Sequence, residues 1–398
     1  MRAAARMLLW LFVFAIPWEY SLDFGPPWGN IARFIGLLTL AASLLAVLQA
    51  GGVRRLHAAH GLTLALFVWM CCSYLWSGDP ATTLGKLPGY FQEMMIVWSV
   101  WELAEDADDL KLLLRAWLAG SWILAVLTLL NFAWLFAAGG AQIRFVAVGQ
   151  DPNDAARYLD LAFPVVALLL NGKQGWFWRW ASWGYLLVGP LAVFLTASRG
   201  GVLEAAIALG GSAWVLWRPH RRIVLAALYA APLAAILLVS VLPAGTLDRI
   251  ASLGDYARIQ DLNQRVNIWG AGWRAFLQSP FFGHGAGTFV SAAGLSSIDT
   301  AHNTALDIAV EQGIAGLMLA AAILAAAAAT VAAMQGASRI AFGTLLAVWC
   351  LASMVGTEGE SRMTWLLFAV IAFAGRLGIH MSLSAEAEPA YALSPEPV

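Results

Sequence analysis

Charge and cysteine are both scarce in this chain. Lys, Arg, Asp and Glu make up only 12% of its 398 residues, about half of the ~25% found in an ordinary soluble domain. A soluble globule of this size needs far more polar surface to stay dispersed, so the soluble classes are excluded. Net charge is −1, from 23 Lys and Arg against 24 Asp and Glu, so no basic field argues for nucleic acid. The three cysteines, Cys71, Cys72 and Cys350, lie in apolar runs. Neighbouring cysteines seldom bridge without strain, and no C-x-x-C spacing occurs. H-E-x-x-H and calcium-loop patterns are missing too, so nothing points to a metal or a cofactor.

Apolar sequence is abundant instead: 61% of residues are hydrophobic and mean hydropathy is +0.72. A membrane-spanning helix needs ~20 apolar residues. Runs of that kind fall at 7–23, 31–50, 59–77, 84–104, 110–138, 154–171, 176–197, 200–217, 222–243, 303–333, 339–356 and 362–380. The expected fold is therefore all-α, a polytopic membrane protein with about 12 transmembrane helices. Arg2 and Arg6 precede the apolar stretch Met7 to Ile16 in the manner of a signal peptide. Pro17-Trp18-Glu19-Tyr20 offers no small-x-small cleavage site, so an uncleaved first span is expected.

Orientation follows from the Lys/Arg distribution. With the N-terminus inside, 13 Lys and Arg lie on the cytoplasmic side and 10 on the other. Four of those ten, Arg249, Arg258, Arg265 and Arg274, sit in one long segment where the charge rule is weak. Both termini are thus expected in the cytoplasm. The chain divides into nine spans over 1–243, a long external segment with short amphipathic helices over 244–302, three more spans over 303–380, and an Ala/Glu/Pro-rich cytoplasmic tail over 381–398 that is expected to be disordered. The external segment, between spans nine and ten, would face the periplasm of a two-membrane cell.

Three short polar stretches should meet at the external face. Thr196-Ala197-Ser198-Arg199-Gly200-Gly201 lies at the hinge between spans seven and eight. A guanidinium bounded by apolar helices is expensive and needs a partner, and the start of the next helix favours an anion through its unpaired N–H groups and dipole. Arg265, Trp269 and Trp273 follow at i, i+4 and i+8, so one face of an amphipathic helix over 263–277 carries an Arg and two indoles. That face could lie on the membrane and bring Arg265 to a phosphate, or be interfacial with no ligand at all. The helix should stop at Ser279-Pro280, before the turn-rich Gly283-His284-Gly285-Ala286-Gly287. His302-Asn303-Thr304 marks the re-entry into the membrane. His302 is a candidate general base, or a hydrogen-bonded interfacial residue. His284, held between glycines, is the weaker competitor. Glu358 and Glu360 read as local ion-pair partners of Arg362. Asp160, Glu204, Asp307 and Glu311 could pair with the arginines and hold them in place.

In their order around one long external segment, these residues resemble the O-antigen ligase family, related to O-antigen polymerases. The resemblance rests on Thr196-Ala-Ser-Arg-Gly-Gly201, on Arg265-x-x-Ile268-Trp269 running to Ser279-Pro-Phe-Phe-Gly-His-Gly-Ala-Gly287, and on His302-Asn303-x-x-Leu306. It is strongest over 190–310. It implies a GT-C-like fold in a bacterial inner membrane and metal-independent transfer of a glycan on the periplasmic face. The donor would be undecaprenyl-pyrophosphate-linked and the acceptor a sugar hydroxyl of the lipid A–core oligosaccharide, or another lipid-linked repeat in a polymerase. The family's essential arginines fall on Arg199 and Arg265, and its essential histidine on His302. Ser198, Gly200, Trp269 and Asn303 are possible supporting residues. Guanidiniums holding the departing pyrophosphate would stabilise its charge. They would also disfavour the imidazolium form of His302 and keep it basic. Membrane lipids are the remaining expected partner. A lipid-linked-sugar transporter is the competing class, although such proteins usually show two matching halves.

Overall fold

The computed structural model describes residues 2–25, 28–139, 142–251, 260–296 and 300–378. The tail over 381–398 and Arg258 lie outside the described residues. The helices are α1 (Arg2–Ala15), α2 (Ile31–Ala50), α3 (Ala58–Cys72), α4 (Pro80–Leu103), α5 (Ala107–Ala137), α6 (Pro152–Asn171), α7 (Trp176–Leu195), α8 (Arg199–Val241), α9 (Ala244–Ala251), α10 (Gln260–Gln278), α11 (Phe289–Ala292), α12 (Thr304–Ala333), α13 (Gly336–Ser353) and α14 (Arg362–Arg376). Among the described residues the only β pairing is an isolated Asp23–Asn30 bridge. The chain is a polytopic all-α membrane protein.

Among the described residues, seven helices are long and apolar enough to cross a membrane: α1 with its following turn, α2, α3 with its turn, α5, α8, α12 and α13. All twelve apolar runs are helical, but four of the corresponding helices, α4, α6, α7 and α14, fall outside those seven. The reason is burial and composition. α6 carries Asp154, Arg157 and Asp160, yet every residue from Ala155 to Leu170 is buried by protein. α14 has 15 residues and is buried from Arg362 to Ala374. α4 carries Lys86, Glu93 and Glu102, and α7 starts with a Trp-rich turn. A helix screened by its neighbours has no need of an apolar surface. By contrast, α2 turns Leu37, Leu38, Leu44, Leu45 and Leu48 outward, as lipid contact favours.

α8 spans 43 residues, and its backbone breaks at His220 (φ −134°, ψ 35°), immediately after Pro219. Leu242, just beyond its end, packs with Leu195, just before its start, and with Phe145. Both ends of α8 therefore lie at one end of the bundle, and the chain reverses at His220. The His220 ring nitrogen Nε2 sits 3.2 Å from the Leu170 carbonyl at the far end of α6. The runs 200–217 and 222–243 are the two arms of this hairpin. The end that holds residues 195 and 242 also carries α9, α10 and α11, and is called the loop end below.

α12 breaks at Gly313, whose φ of +66° an L side chain rarely adopts. The break exposes backbone groups that helix bonding would otherwise satisfy. The Val310 and Glu311 carbonyls accept from the His284 and Gly285 N–H groups (2.9 Å each), and Ile314 N–H donates to Pro280 (2.8 Å). The Gln312 carbonyl accepts from the Trp69 indole (3.0 Å). A Cβ on Gly283 or Gly313 would collide with the facing backbone. The glycine-rich turn is thus a plug for a broken helix. His284 also holds the end of α10, its Nε2 lying 2.8 Å from the Ala275 carbonyl.

Candidate functional site

Two helices begin at the loop end in the same way. At the α7–α8 hinge, Ala197 has φ +49°, and at the start of α12, His302 has φ +46°; these are the two non-glycine residues with positive φ among the described residues. Such a conformation costs roughly 1–3 kcal/mol and persists only where its surroundings enforce it. A capping residue follows each. Ser198 Oγ accepts from Gly201 N–H (3.2 Å), and Asn303 Oδ1 accepts from Leu306 N–H (2.9 Å). Arg199 then opens α8, and Thr304 opens α12. These supporting residues therefore act by shaping the backbone.

The first entrance is lined with guanidiniums. Arg144 donates from Nε to the Thr196 carbonyl (3.0 Å) and from its terminal nitrogen to Asn153 Oδ1 (2.7 Å). The same Asn153 oxygen accepts from Ser198 Oγ (3.0 Å). Arg249 Nε donates to the Ala197 carbonyl (3.2 Å). Arg199 is half-buried and engaged by its neighbours. The site thus gathers Arg144, Arg199 and Arg249 at a helix N-terminus. Arg144 and Arg249 had entered the sequence reading only as counts for orientation. Each bonds a hinge carbonyl 52 residues away in the chain, which gives no local signal.

The segment between α13 and α14 joins the two entrances. A Cβ on Gly200 would touch Val355. Asn303 Nδ2 reaches the Met354 carbonyl (3.4 Å). Thr304 Oγ1 donates to the Gly356 carbonyl (2.9 Å) and accepts from Glu358 N–H (2.8 Å). From α6, Asp154 lies within electrostatic reach of His302. Residues 199 and 302 therefore flank one short connector. Gly201 sits so close to Ala156 of α6 that a Cβ there would clash, which locks the α8 entrance onto the buried helix.

Arg265 is tied in through its helix. One turn further along α10, the Trp269 indole donates to the Ala301 carbonyl (3.0 Å), directly before His302. Ile268, Ala275, Phe289, Ala301 and Val310 form a small core beneath it. The expectation that the 265–269–273 face lies on the membrane is corrected for Trp269, which is docked on protein. Trp273 is exposed, with its ring tilted against Phe276 at 5.2 Å between centroids. Among the described residues Arg265 has no carboxylate partner and is half-buried.

Several carboxylates pair differently from expectation. Arg362 bonds Glu19 (2.5 Å) and Gln92 (3.2 Å) deep in the bundle, not Glu358. Glu358 pairs with Arg157, which also holds Asp154 (3.1 Å). Burial pushes the Glu358 carboxyl up to about 7, with Arg157 opposing the shift. Glu360 accepts from Lys86 Nζ (2.7 Å) and Tyr90 (2.8 Å). Glu311 holds no arginine; it accepts from the Gly287 and Phe289 N–H groups (2.7 and 3.0 Å). Among the described residues no group of three or more His, Cys, Asp or Glu is placed to hold a metal ion.

Residues 183–321 match the family model described as O-antigen ligase. That stretch holds both entrances and the whole long segment over 244–302. The chain is also 25% identical over 341 residues to the exopolysaccharide production protein ExoQ of Rhizobium meliloti (strain 1021), covering 81% of this chain and 74% of that one.

Proposed function

We propose that the chain is a membrane glycosyltransferase of the O-antigen ligase kind, a reading supported by the match of residues 183–321 to that family model. It would move a glycan from undecaprenyl pyrophosphate to a sugar hydroxyl of the lipid A–core oligosaccharide, on the periplasmic face of the inner membrane, without a metal. The observation that carries this reading is the arginine-lined start of α8 set beside the His302 entrance, across the 354–358 connector. A pyrophosphate is the ligand chemistry that fits guanidiniums at a helix N-terminus.

In this reading Arg199 and Arg265 hold the donor pyrophosphate, and Arg144 and Arg249 fix the hinge that presents Arg199. His302 takes the acceptor hydroxyl proton as the acceptor oxygen forms its bond to the anomeric carbon. The bond from that carbon to the pyrophosphate oxygen breaks, and undecaprenyl pyrophosphate leaves with the electron pair. Direct displacement inverts the anomeric centre. The leaving group is already stable as an anion, so the arginines need only spread its charge.

The likeness to a protein of exopolysaccharide production over most of the chain supports a second reading, in which the acceptor is another lipid-linked repeat. Reconstitution of the purified chain with a lipid-linked glycan separates the readings. Covalent product on lipid A–core in the presence of EDTA is the expected outcome. Lengthened lipid-linked glycan without core would favour the polymerase. Movement across a bilayer with no covalent product would mark a transporter and overturn both.

A further inference from the structure

Beneath the His302 entrance, the side chains change from basic to acidic. α3, α4, α12, α13 and α14 enclose a cavity of about 60 Å³ whose polar lining includes Tyr90, Thr304, Asp307, Gln312 and Glu360, with Trp365 among its apolar walls. Two of the nearby carboxylates are already engaged, Glu360 by Lys86 and Tyr90 and Glu311 by two backbone N–H groups. Two other side chains retain capacity. Gln312 is 1% exposed, and neither its amide nitrogen nor its oxygen has a partner among the described residues. Asp307 is 7% exposed and makes no side-chain hydrogen bond or ion pair among the described residues. A buried amide with no partner loses its hydrogen bonds to water and gains none in return, so something polar should meet it.

The cavity lining has acidic side chains and no Lys or Arg, so it offers a phosphate nothing to bind, whereas the α8 entrance gathers arginines. The volume holds about four waters, enough for a hydroxymethyl group and too small for a sugar ring. We propose that the cavity receives a hydroxymethyl arm of the acceptor sugar, its hydroxyl bonding to the Asp307 carboxyl and accepting from the Gln312 amide. The occupant's identity as an acceptor rests on the transfer reading above. The preference for a neutral hydroxylated arm rests on the cavity alone.

The test uses the full chain in lipid nanodiscs and two radiolabelled probes, octyl β-glucoside and octyl β-xyloside, which differ by that one hydroxymethyl group. Wild type should bind the glucoside about ten-fold more tightly, roughly the worth of one to two hydrogen bonds. Gln312→Leu and Asp307→Asn should each remove the preference at an unchanged melting temperature. Equal binding of the two probes by wild type overturns the inference, as does a preference kept by both variants. If a variant fails to fold, the wild-type comparison decides alone. Transfer activity is read separately. Failure of the transfer reading leaves the glucoside preference intact, whereas failure of this inference leaves the acceptor KM of Gln312→Leu at the wild-type value.

Discussion

The α8 and α12 entrances repeat one backbone arrangement and offer opposite chemistry. Each runs from a non-glycine residue with positive φ, through a side-chain cap, into the first turn of a helix at the loop end. At α8 the residue after the cap is an arginine and the strained residue is an alanine. At α12 the strained residue is itself the imidazole. The strain at α8 therefore serves to aim its neighbour, while the strain at α12 aims His302 directly. A repeated geometry with swapped chemistry suits a reaction that must hold an anion on one side and take a proton on the other.

The largest effects should come from deleting the chemistry while sparing the geometry. His302→Ala should lower transfer by ~10²–10⁴, the usual general-base contribution, with donor binding retained. His302→Gln should not restore it, since an amide cannot take the proton. Arg199→Ala should abolish transfer and weaken donor binding, and Arg199→Lys should rescue only in part because a point charge replaces a planar fork. Steady-state rates at matched expression, with donor and acceptor varied separately, decide whether the two entrances divide the labour as described. Full activity in His302→Gln would reduce that entrance to a positioning role.

The next effect in size concerns the connector shared by both. Glu358 holds its proton to about 7 in the folded chain, against 4.5 for an ordinary glutamate. A raised pKa contributes stability that is fully present below 4.5 and is lost as pH rises through 7. Melting temperature should therefore fall across that window in wild type, and fall less in Glu358→Gln. Identical slopes would show that the carboxyl does not titrate where its burial places it. Smaller again are the caps. Ser198→Ala and Asn303→Ala should each cost about 1 kcal/mol of stability, measured by denaturant unfolding in mixed micelles. The smallest change, Ala197→Gly, should relieve the strained hinge and stabilise the protein by up to ~1 kcal/mol, while loosening Arg199 and lowering the rate. The same substitution at His302 also deletes the imidazole, so the two strained positions should respond differently although their backbones match.

Much of this was legible in the chain. Every apolar run became a helix, because twenty apolar residues in lipid have no better way to satisfy their backbone. The helix expected over 263–277 is α10, and it ends at Ser279-Pro280. The centre of the bundle was harder to see. α6 looks like a marginal span by hydropathy because its charges are buried against α5, α7, α8 and α13, and one sequence shows composition but not neighbours. In the site, Arg199, Arg265 and His302 stood out through their local setting of glycines, indoles and a helix start. Arg157 did not, since its Glu358 partner is 201 residues away. Ala197 carried no signal, because an alanine in a left-handed conformation looks like any other alanine. Gly283 and Gly313 were visible as glycines, but only the fold shows that they face each other.

The break at Gly313 has a mechanical consequence. It separates residues 304–312, which carry His302 at their head, from the bilayer-crossing length 314–333, and it fastens the short piece to His284 and Gly285, while Pro280 holds the first residue of the long one. A membrane that thins or thickens makes a long helix tilt, and that tilt can be taken up at the glycine joint before it reaches the imidazole. The histidine is thus referenced to the extramembrane part of the protein, and its position should be insulated from the thickness of the lipid around it.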